Sequence, residues 1–243
     1  MKRKKNGLGI WQIINSNIIT DIIAKSGFDI TLLDLEHGLH TPQSIQDCVF
    51  AAKANFLFTI ARIPCDSYQE IVKIIDTGID GLLFPHIENN EQLNKILEQT
   101  LLPPLGSKSF SPFVTKYNYG KSAKDKKDNP YIGILIESVI GIKNSDKLLS
   151  NSNIDFVYFG AYDLSLEINK PGDIFNDEIL KHLTTLIKYA KTNQKKILSI
   201  YRDKKELDLL NKLGVDFPIA SVDTSHLMQK LKIESEHYLQ IKN

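Results

Sequence analysis

Eight short apolar segments recur along the chain, and amphipathic segments separate most of them. The apolar segments are rich in β-branched and aromatic residues, which is typical of strands buried on both faces. They span 8–14, 30–34, 57–62, 81–85, 131–136, 155–160, 196–201 and 216–220. Helical spacing of apolar residues follows near 17–26, 42–54, 67–77, 90–98, 141–149, 176–193, 203–213 and 223–232. This alternation predicts parallel strands that are covered by helices.

Eight strand–helix units in 243 residues predict an α/β fold. We expect a single-domain (β/α)8 TIM barrel that covers residues 1–243. Capping residues support the boundaries, because Thr41 opens the second helix, Ser67 opens the third and Gly78 ends it. A doubly wound open sheet has the same alternation, but it usually carries a glycine-rich turn after an early strand. The turn at 15–17 has no glycine, so the barrel is favoured.

One long segment, 99–130, interrupts the regular spacing of the units. It contains Pro103-Pro104 and then the charged run Lys121–Asp128. Connections of this length are uncommon in compact domains and are usually functional or solvated. We therefore expect a long active-site loop with a solvated segment.

Charge, hydropathy and cysteine content exclude several classes of protein. A net charge of +1 gives no electrostatic reason to bind nucleic acid or a membrane surface. No apolar stretch reaches the roughly 20 residues that cross a bilayer. The basic start at 1–6 lacks the apolar run of a signal peptide and is interpreted as a solvated tail. Cys48 and Cys65 lack a disulfide or metal-ligand pattern, so we expect a reduced, cytoplasmic protein.

Polar side chains stand at the ends of several predicted strands. Glu137 and Asp163 follow neighbouring apolar runs, the sequence Asp-Leu-Glu-His at 34–37 ends an earlier strand, and Arg62 ends the next. Barrel enzymes place their chemistry at these C-terminal strand ends. Two carboxylates suit a hard divalent cation, and histidine and arginine suit proton transfer and anion binding. Together they suggest a metal-assisted enzyme that acts on a small keto acid.

Simpler roles stay open for each of these residues taken alone. A carboxylate at a strand end is commonly a helix cap or an ion-pair partner. His37 by itself is more often a satisfied polar residue than a base, and Arg62 is more often part of a structural ion pair. Glu36 is a candidate structural partner, and His86, which follows the fourth strand, is interpreted as loop structure.

Six motifs in order resemble one enzyme family over roughly residues 7–231. They are Asp34-Leu35-Glu36-His37, Arg62 in Ala-Arg-Ile-Pro, Asp76 before Gly78, Pro103–Gly106, Glu137, and Gly160-Ala161-Tyr162-Asp163-Leu164-Ser165. In these motifs the chain resembles the metal-dependent class II pyruvate aldolases of the 4-hydroxy-2-oxoheptanedioate and 2-keto-3-deoxy-sugar-acid aldolase family. That family is related to the citrate lyase β subunit.

The resemblance implies a carbon–carbon lyase. Such an enzyme reversibly cleaves a 4-hydroxy-2-oxo acid to pyruvate and an aldehyde through a metal-stabilised enolate. It implies that Glu137 and Asp163 bind a divalent cation (Mg, Mn or Co). It also implies that Arg62 is catalytic and binds the keto acid, that His37 moves the aldol proton, and that Asp76 is hydrogen-bonded to His37.

The same resemblance supplies further site residues. It places Gly160, Ala161 and Tyr162 in the substrate site, with Asp34, Glu36 and Lys108 as supporting residues around it. Three positions depart from the family pattern: Lys108 replaces an arginine, Tyr162 replaces a small residue, and Leu135 replaces a frequent glutamine. These departures affect the substrate pocket rather than the metal site. We expect Tyr162 and Phe110 to crowd the pocket mouth and to favour small or flat aldehydes.

Related enzymes form homo-oligomers, usually trimer-based hexamers in which C-terminal helices exchange between neighbours. Here Leu227, Met228, Leu231 and Ile233 form an apolar stripe at helical spacing. A helix packed on its own barrel is the simpler interpretation of that stripe, but the resemblance favours a trimer or hexamer, with the 99–130 loop near a subunit boundary.

Other activities also remain open. Another metal–enolate lyase, an oxaloacetate decarboxylase and an inactive barrel used for binding or assembly are the alternatives. A class I aldolase is disfavoured, because no lysine ends the strands at 131–136 or 155–160.

Overall fold

The computed structural model describes residues 6–64, 67–122 and 129–242, and eight parallel strands form a closed barrel at its centre. The strands are β1 Gly9–Gln12, β2 Ile30–Asp34, β3 Phe58–Arg62, β4 Gly81–Phe84, β5 Tyr131–Ile136, β6 Phe156–Phe159, β7 Lys196–Tyr201 and β8 Phe217–Val222. Each strand pairs with the next, and β8 closes the barrel against β1. The predicted TIM barrel is confirmed.

Helices surround the strands in the order that the apolar spacing predicts. They are α1 Asn17–Lys25, α2 Pro42–Ala54, α3 Tyr68–Asp76, α4 Asn90–Thr100, α5 Val139–Leu149, α6 Ala161–Glu167, α7 Asp177–Thr192, α8 Lys204–Leu213 and α9 Asp223–Lys242. The predicted caps are confirmed, because the Thr41 hydroxyl accepts from the backbone N–H of Ser44, and the Ser67 hydroxyl accepts from that of Glu70. Gly78 follows α3 with a φ of +79°, which favours glycine.

Two helices differ from the sequence prediction. The short helix α6 begins directly after β6 and was not expected, because seven residues are too few to show a clear helical period. The last helix, α9, is ten residues longer than the predicted 223–232. All its side chains from His226 to Gln240 are exposed, so it does not pack along its own barrel.

An aspartate stands directly before each of β2, β4, β6 and β8, and its carboxylate binds the start of the preceding strand. The carboxylates of Asp29, Asp80, Asp155 and Asp216 accept backbone N–H groups at the starts of β1, β3, β5 and β7, over 2.8–3.0 Å. These N–H groups lie at the N-terminal end of the barrel, where stability rather than chemistry is usually encoded. The repeat leaves the opposite end free for functional side chains.

The described parts of the long segment, 99–122 and 129–130, lie away from the C-terminal strand ends of their own barrel. The segment joins the end of α4 to the start of β5, and such connections lie at the N-terminal end of a barrel. Ser109 donates to the hydroxyl of Tyr68 on α3, and Phe110 packs on Tyr117 within the segment. Within one chain these parts therefore do not reach the C-terminal strand ends, and the role of 99–130 as an active-site loop stays a prediction.

Some sequence predictions fall outside the described residues. They concern the basic tail, most of the charged run at 121–128, and Cys65. Cys48 is a buried free thiol, and the reduced state and the cytoplasmic location stay predictions. None of the helices in the described ranges has the length and apolar character that crossing a bilayer requires.

We expect Asp80→Ala to lower stability, because it removes the acceptor of both the backbone N–H and the hydroxyl of Thr59. Leaving these donors unpaired costs about 1–3 kcal/mol, which lowers the melting temperature by roughly 2–4 °C per kcal/mol in a protein of this size. Thermal unfolding measures the change. Asp208→Ala, an exposed position on α8, is the control and should melt like the unaltered protein. Equal melting of both variants would contradict this role for Asp80.

Candidate active site

Most of the predicted site residues line one cavity at the C-terminal strand ends. Its volume is about 250 Å³, which suits a small organic acid. The lining residues are Trp11, Ile13, Asp34, His37, Arg62, Leu135, Glu137, Tyr158, Gly160, Ala161, Tyr162, Asp163, Ile200 and Val222. A larger cavity of about 560 Å³ involves the starts of β5 and β6, at the end of the barrel where barrel enzymes do not place their chemistry.

Two carboxyl groups, those of Glu137 and Asp163, lie together in this cavity. Glu137 follows β5 and is 6% exposed, whereas Asp163 is in the first turn of α6 and faces the mouth. Burial, the hydrogen bond that the protonated Glu137 donates to the neighbouring Asp163 carboxylate, and the negative charges of Asp163 and Glu36 raise the pKa of Glu137 to about 8. Two carboxylates this close repel each other unless a proton or a cation lies between them.

The close approach of these carboxyl groups requires a glycine at position 160. A Cβ atom on Gly160 would lie 2.4 Å from the Cβ of Glu137 and 3.2 Å from its Oε2. Gly160, Ala161 and Tyr162 all line the cavity, so the structure brings the predicted substrate residues next to the acid pair. Tyr162 is 44% exposed and stands at the opening.

Arg62 forms a second charged centre, held by two acids. Its Nε and Nη2 donate to the two carboxylate oxygens of Asp34 at 2.8 and 2.5 Å, and its Nη1 lies 3.1 Å from Glu36. The guanidinium carbon also lies 4.7 Å from the centre of the Trp11 ring. Burial disfavours the Asp34 carboxylate, but the hydrogen bonds and charge of Arg62 hold its pKa below the usual value. The arginine is therefore fixed in place before any ligand binds.

His37 is positioned by the same aspartate. The backbone N–H groups of Glu36 and His37 donate to Asp34 Oδ1 at 3.0 and 3.3 Å, which fixes the turn after β2. The imidazole lines the cavity, and within the described ranges it makes no hydrogen bond to another protein group. It is therefore available to a ligand.

His86 is a site residue that the sequence interpretation missed. Its backbone N–H donates to Glu137 Oε1 at 2.9 Å, and its ring spans two acids, with Nδ1 3.0 Å from Glu137 and Nε2 3.2 Å from Glu36. The residue has a φ of 57°, in the left-handed region, which turns the chain back toward Glu137. Its position directly after β4, level with the other strand-end residues, was the available signal.

Asp76 and Lys108 do not join the cavity of their own chain. Asp76 ends α3, near the start of β4, whereas His37 follows the end of β2, so the two lie toward opposite ends of the barrel. The carboxylate of Asp76 accepts from the buried Lys108 ammonium at 3.2 Å. Within one chain the structure therefore does not bring Asp76 to His37 or Lys108 to the cavity, and their predicted roles stay predictions. Phe110 also lies outside the cavity lining.

Comparison with known proteins identifies the family. A model of the HpcH/HpaI aldolase/citrate lyase family matches residues 8–229. The chain belongs to this family. It is 26% identical over 239 residues to 2-keto-3-deoxy-L-rhamnonate aldolase of Klebsiella pneumoniae subsp. pneumoniae, across 94% of this chain and 87% of the relative. The predicted family and the predicted aldolase class of carbon–carbon lyase are confirmed.

Solved structures of this HpcH/HpaI-type fold superpose along almost the whole chain. Citrate synthase SbnG has a TM-score of 0.86 at 22% identity, with 99% of this chain and 96% of that chain covered. The citrate lyase β subunit of M. tuberculosis, solved with oxaloacetate and magnesium, has a TM-score of 0.61 at 14% identity, covering 93% and 95%. At these identities the likeness shows the fold alone.

We expect divalent cations to displace a proton from the acid pair of this aldolase-family chain. The raised pKa keeps Glu137 protonated near neutral pH, so a metal ion must compete with that proton. Mg²⁺ or Mn²⁺ affinity should therefore rise with pH and level off above about 8. Calorimetric titration in buffers of different ionisation enthalpy measures the released proton.

Glu137→Gln is the matched control for this titration, because its amide keeps the shape but has no proton to release. It should bind the cation more weakly and without proton release. An affinity for Mn²⁺ that does not change with pH below 8, or a Glu137→Gln variant with unchanged affinity, would contradict the assignment of Glu137.

Proposed function

We propose that the protein catalyses divalent-metal-dependent, reversible aldol cleavage of a 4-hydroxy-2-oxo acid to pyruvate and an aldehyde. The observation that carries the proposal is the Glu137–Asp163 acid pair, which shares a small cavity with Arg62. Aldolases of this family act on small keto-acid substrates, and the cavity offers a cationic and an anionic wall to such a molecule.

The residues of the acid pair fit a hard cation such as Mg, Mn or Co. Both donors are carboxylate oxygens, and in the part of the chain that the structure describes no cluster of three or more histidine, cysteine or acidic side chains is placed to hold a metal. Two protein ligands would leave positions for substrate and water. When bound, the cation supplies Lewis-acid chemistry, because it withdraws charge from the oxygens of a 2-oxo acid.

The protein groups around the acid pair bind and orient the substrate. Arg62 has five N–H groups, of which three point to Asp34 and Glu36, so two are left for substrate oxygens. Because Arg62 cannot rotate away from Asp34, these donors are preorganised where negative charge develops. Tyr162 narrows the opening, which favours small or flat aldehydes.

His37 is the proposed proton-transfer residue. Its imidazole reaches the cavity without another protein partner in the described ranges, and an imidazole can both accept and donate a proton. It can take the proton from the 4-hydroxyl group during cleavage and return it during addition. The backbone bond to Asp34 holds the turn that carries it.

We further propose a homo-oligomer, a trimer or hexamer, in which α9 exchanges between neighbours. Leu227, Met228, Leu231 and Ile233 are 44–67% exposed along α9, and within the described ranges nothing covers them. In such an assembly, Asp76 and the segment 99–130 of one chain can approach the His37 of another. Asp76 would then form the hydrogen bond to His37 that the family resemblance implies, but with the His37 of a neighbouring subunit.

His37→Ala should slow aldol cleavage by about 10²–10⁴-fold and leave Mn²⁺ affinity nearly unchanged, because the imidazole moves a proton and does not bind the metal. Coupled detection of released pyruvate measures the rate, and calorimetry measures the affinity. His182→Ala on α7 is the control and should keep full activity. Loss of metal binding in His37→Ala would show that the role is assigned wrongly.

Subunit mixing tests the shared site. His37→Ala and Asp76→Asn chains should each be impaired alone, but in equal mixtures about a quarter of the sites combine a native His37 with a native neighbouring Asp76. Coexpressed mixtures should therefore be more active than either variant, and light scattering should show a trimer or larger. A monomer at micromolar concentration, or a mixed oligomer without recovered activity, would refute the shared site.

A further inference from the structure

The side chain of Tyr158 forms part of the cavity floor, below the acid pair. Tyr158 on β6 pairs in register with Leu135 on β5, and Gly160 and Glu137 come two residues later, just past the ends of these strands. Residues two apart on a strand share a face, so Tyr158 lies one layer deeper than Glu137 on the same inner wall. It is 4% exposed and lines the cavity.

The hydroxyl of Tyr158 already accepts one hydrogen bond. The Nε1–H of Trp11 donates to it over 2.7 Å, and the two rings meet edge to face at 5.3 Å. An indole N–H can only donate, so the tyrosine oxygen must be the acceptor and its own proton must point elsewhere. Within the described ranges, no side chain or backbone carbonyl accepts that proton.

The acceptor for the Tyr158 hydroxyl proton must come from a molecule bound in the cavity. A buried donor without a partner is costly, and the great majority of buried polar groups in proteins are satisfied. Burial raises the pKa of Tyr158, so the hydroxyl keeps its proton at physiological pH. Leu135 has no polar atom, and Arg62 only donates. The carboxylate of Asp34 also lines the cavity, but both of its oxygens accept from Arg62.

Arg62 supplies further donors near the Tyr158 hydroxyl. Its positive charge acts on that hydroxyl, and two of its five N–H groups are bonded to neither Asp34 nor Glu36. A hydroxyl and a guanidinium that both have donors left are complementary to an oxygen-rich anion.

We propose that Tyr158 is a substrate-binding residue whose hydroxyl donates to an oxygen in the carboxylate–keto unit of the bound 2-oxo acid. Trp11 is a positioning residue, because its N–H fixes the direction of that hydroxyl. Arg62 in turn covers the Trp11 ring at 4.7 Å. This inference rests on the proposed function and adds to it the group that binds the donor substrate at the cavity floor.

Calorimetric titration of oxalate, a planar analogue of the pyruvate enolate, tests the proposal in the presence of saturating Mg²⁺. Tyr158→Phe should bind oxalate about tenfold more weakly, as expected for one lost hydrogen bond to a charged group. Trp11→Phe keeps the Tyr158 hydroxyl but removes the N–H that orients it, so this variant should lose less oxalate affinity than Tyr158→Phe. Tyr201→Phe is the control on the adjacent strand β7, outside the cavity lining, and should bind like the unaltered protein.

Fluorescence gives an independent readout, because Trp11 is the only tryptophan in the chain. When the Tyr158 hydroxyl donates to an anion, its oxygen becomes a stronger acceptor for the indole N–H. Saturating oxalate should therefore shift the Trp11 emission of the unaltered protein, and the shift should be lost in Tyr158→Phe.

A purely structural role predicts a different result. Tyr158→Phe would then melt at a lower temperature, because the Trp11 N–H loses its acceptor, but it would bind oxalate as tightly as the unaltered protein; this outcome overturns the proposal. If Tyr158→Phe does not fold, an unchanged Trp11 emission of the unaltered protein at saturating oxalate overturns it. If the unaltered protein binds neither oxalate nor pyruvate with Mg²⁺, the proposed function fails, and this assignment fails with it.

Discussion

The repulsion between two neighbouring carboxyl groups, Glu137 and Asp163, is the constraint on which the rest of the site depends. Burial and proximity raise the pKa of Glu137 to about 8, so the pair is stable only with a shared proton or a bound cation. The barrel enforces this proximity: the end of β5 and the start of α6 are adjacent, and Gly160 removes the side chain that would separate them. Acids are held together here at a cost in stability, which is typical of functional sites.

Arg62 lines the same cavity as Glu137 and Asp163, but its positive charge is paired with other acids. Asp34 and Glu36 take most of its donors, and His86 bridges Glu36 to Glu137 on the far side. Under the proposed function, the wall with Glu137 and Asp163 binds the cation and the wall with Arg62 binds the anion. A 2-oxo acid, whose oxygens can meet both walls, matches this division of charge.

The sequence predicts the barrel and the strand-end residues, because both follow from local pattern. Apolar runs mark each strand, and parallel strands bring their ends to one face, so Asp34, His37, Arg62, Glu137 and Asp163 could be placed together before any coordinates. The contact of His86 with two acids could not be predicted, since it depends on a left-handed backbone conformation that the residue type does not signal.

Long-range placement could not be predicted from the sequence. Asp76 and the segment 99–130 carry family motifs, but the connection after a barrel helix returns to the opposite end from the active site. Sequence order could not show that these elements are far from the site of their own chain. The length of α9 and the exposure of its side chains could not be predicted either, because a helical period does not encode what the helix packs against.

Hydrogen–deuterium exchange at the methyl group of pyruvate tests the central claim most directly, since it requires enolisation and no knowledge of the aldehyde. In D₂O with Mg²⁺ or Mn²⁺, the account predicts that the protein catalyses loss of the pyruvate methyl proton signal, and that excess chelator or Glu137→Gln abolishes this exchange. Catalysed exchange that persists at full rate in chelator, or no exchange with any divalent metal, would contradict it.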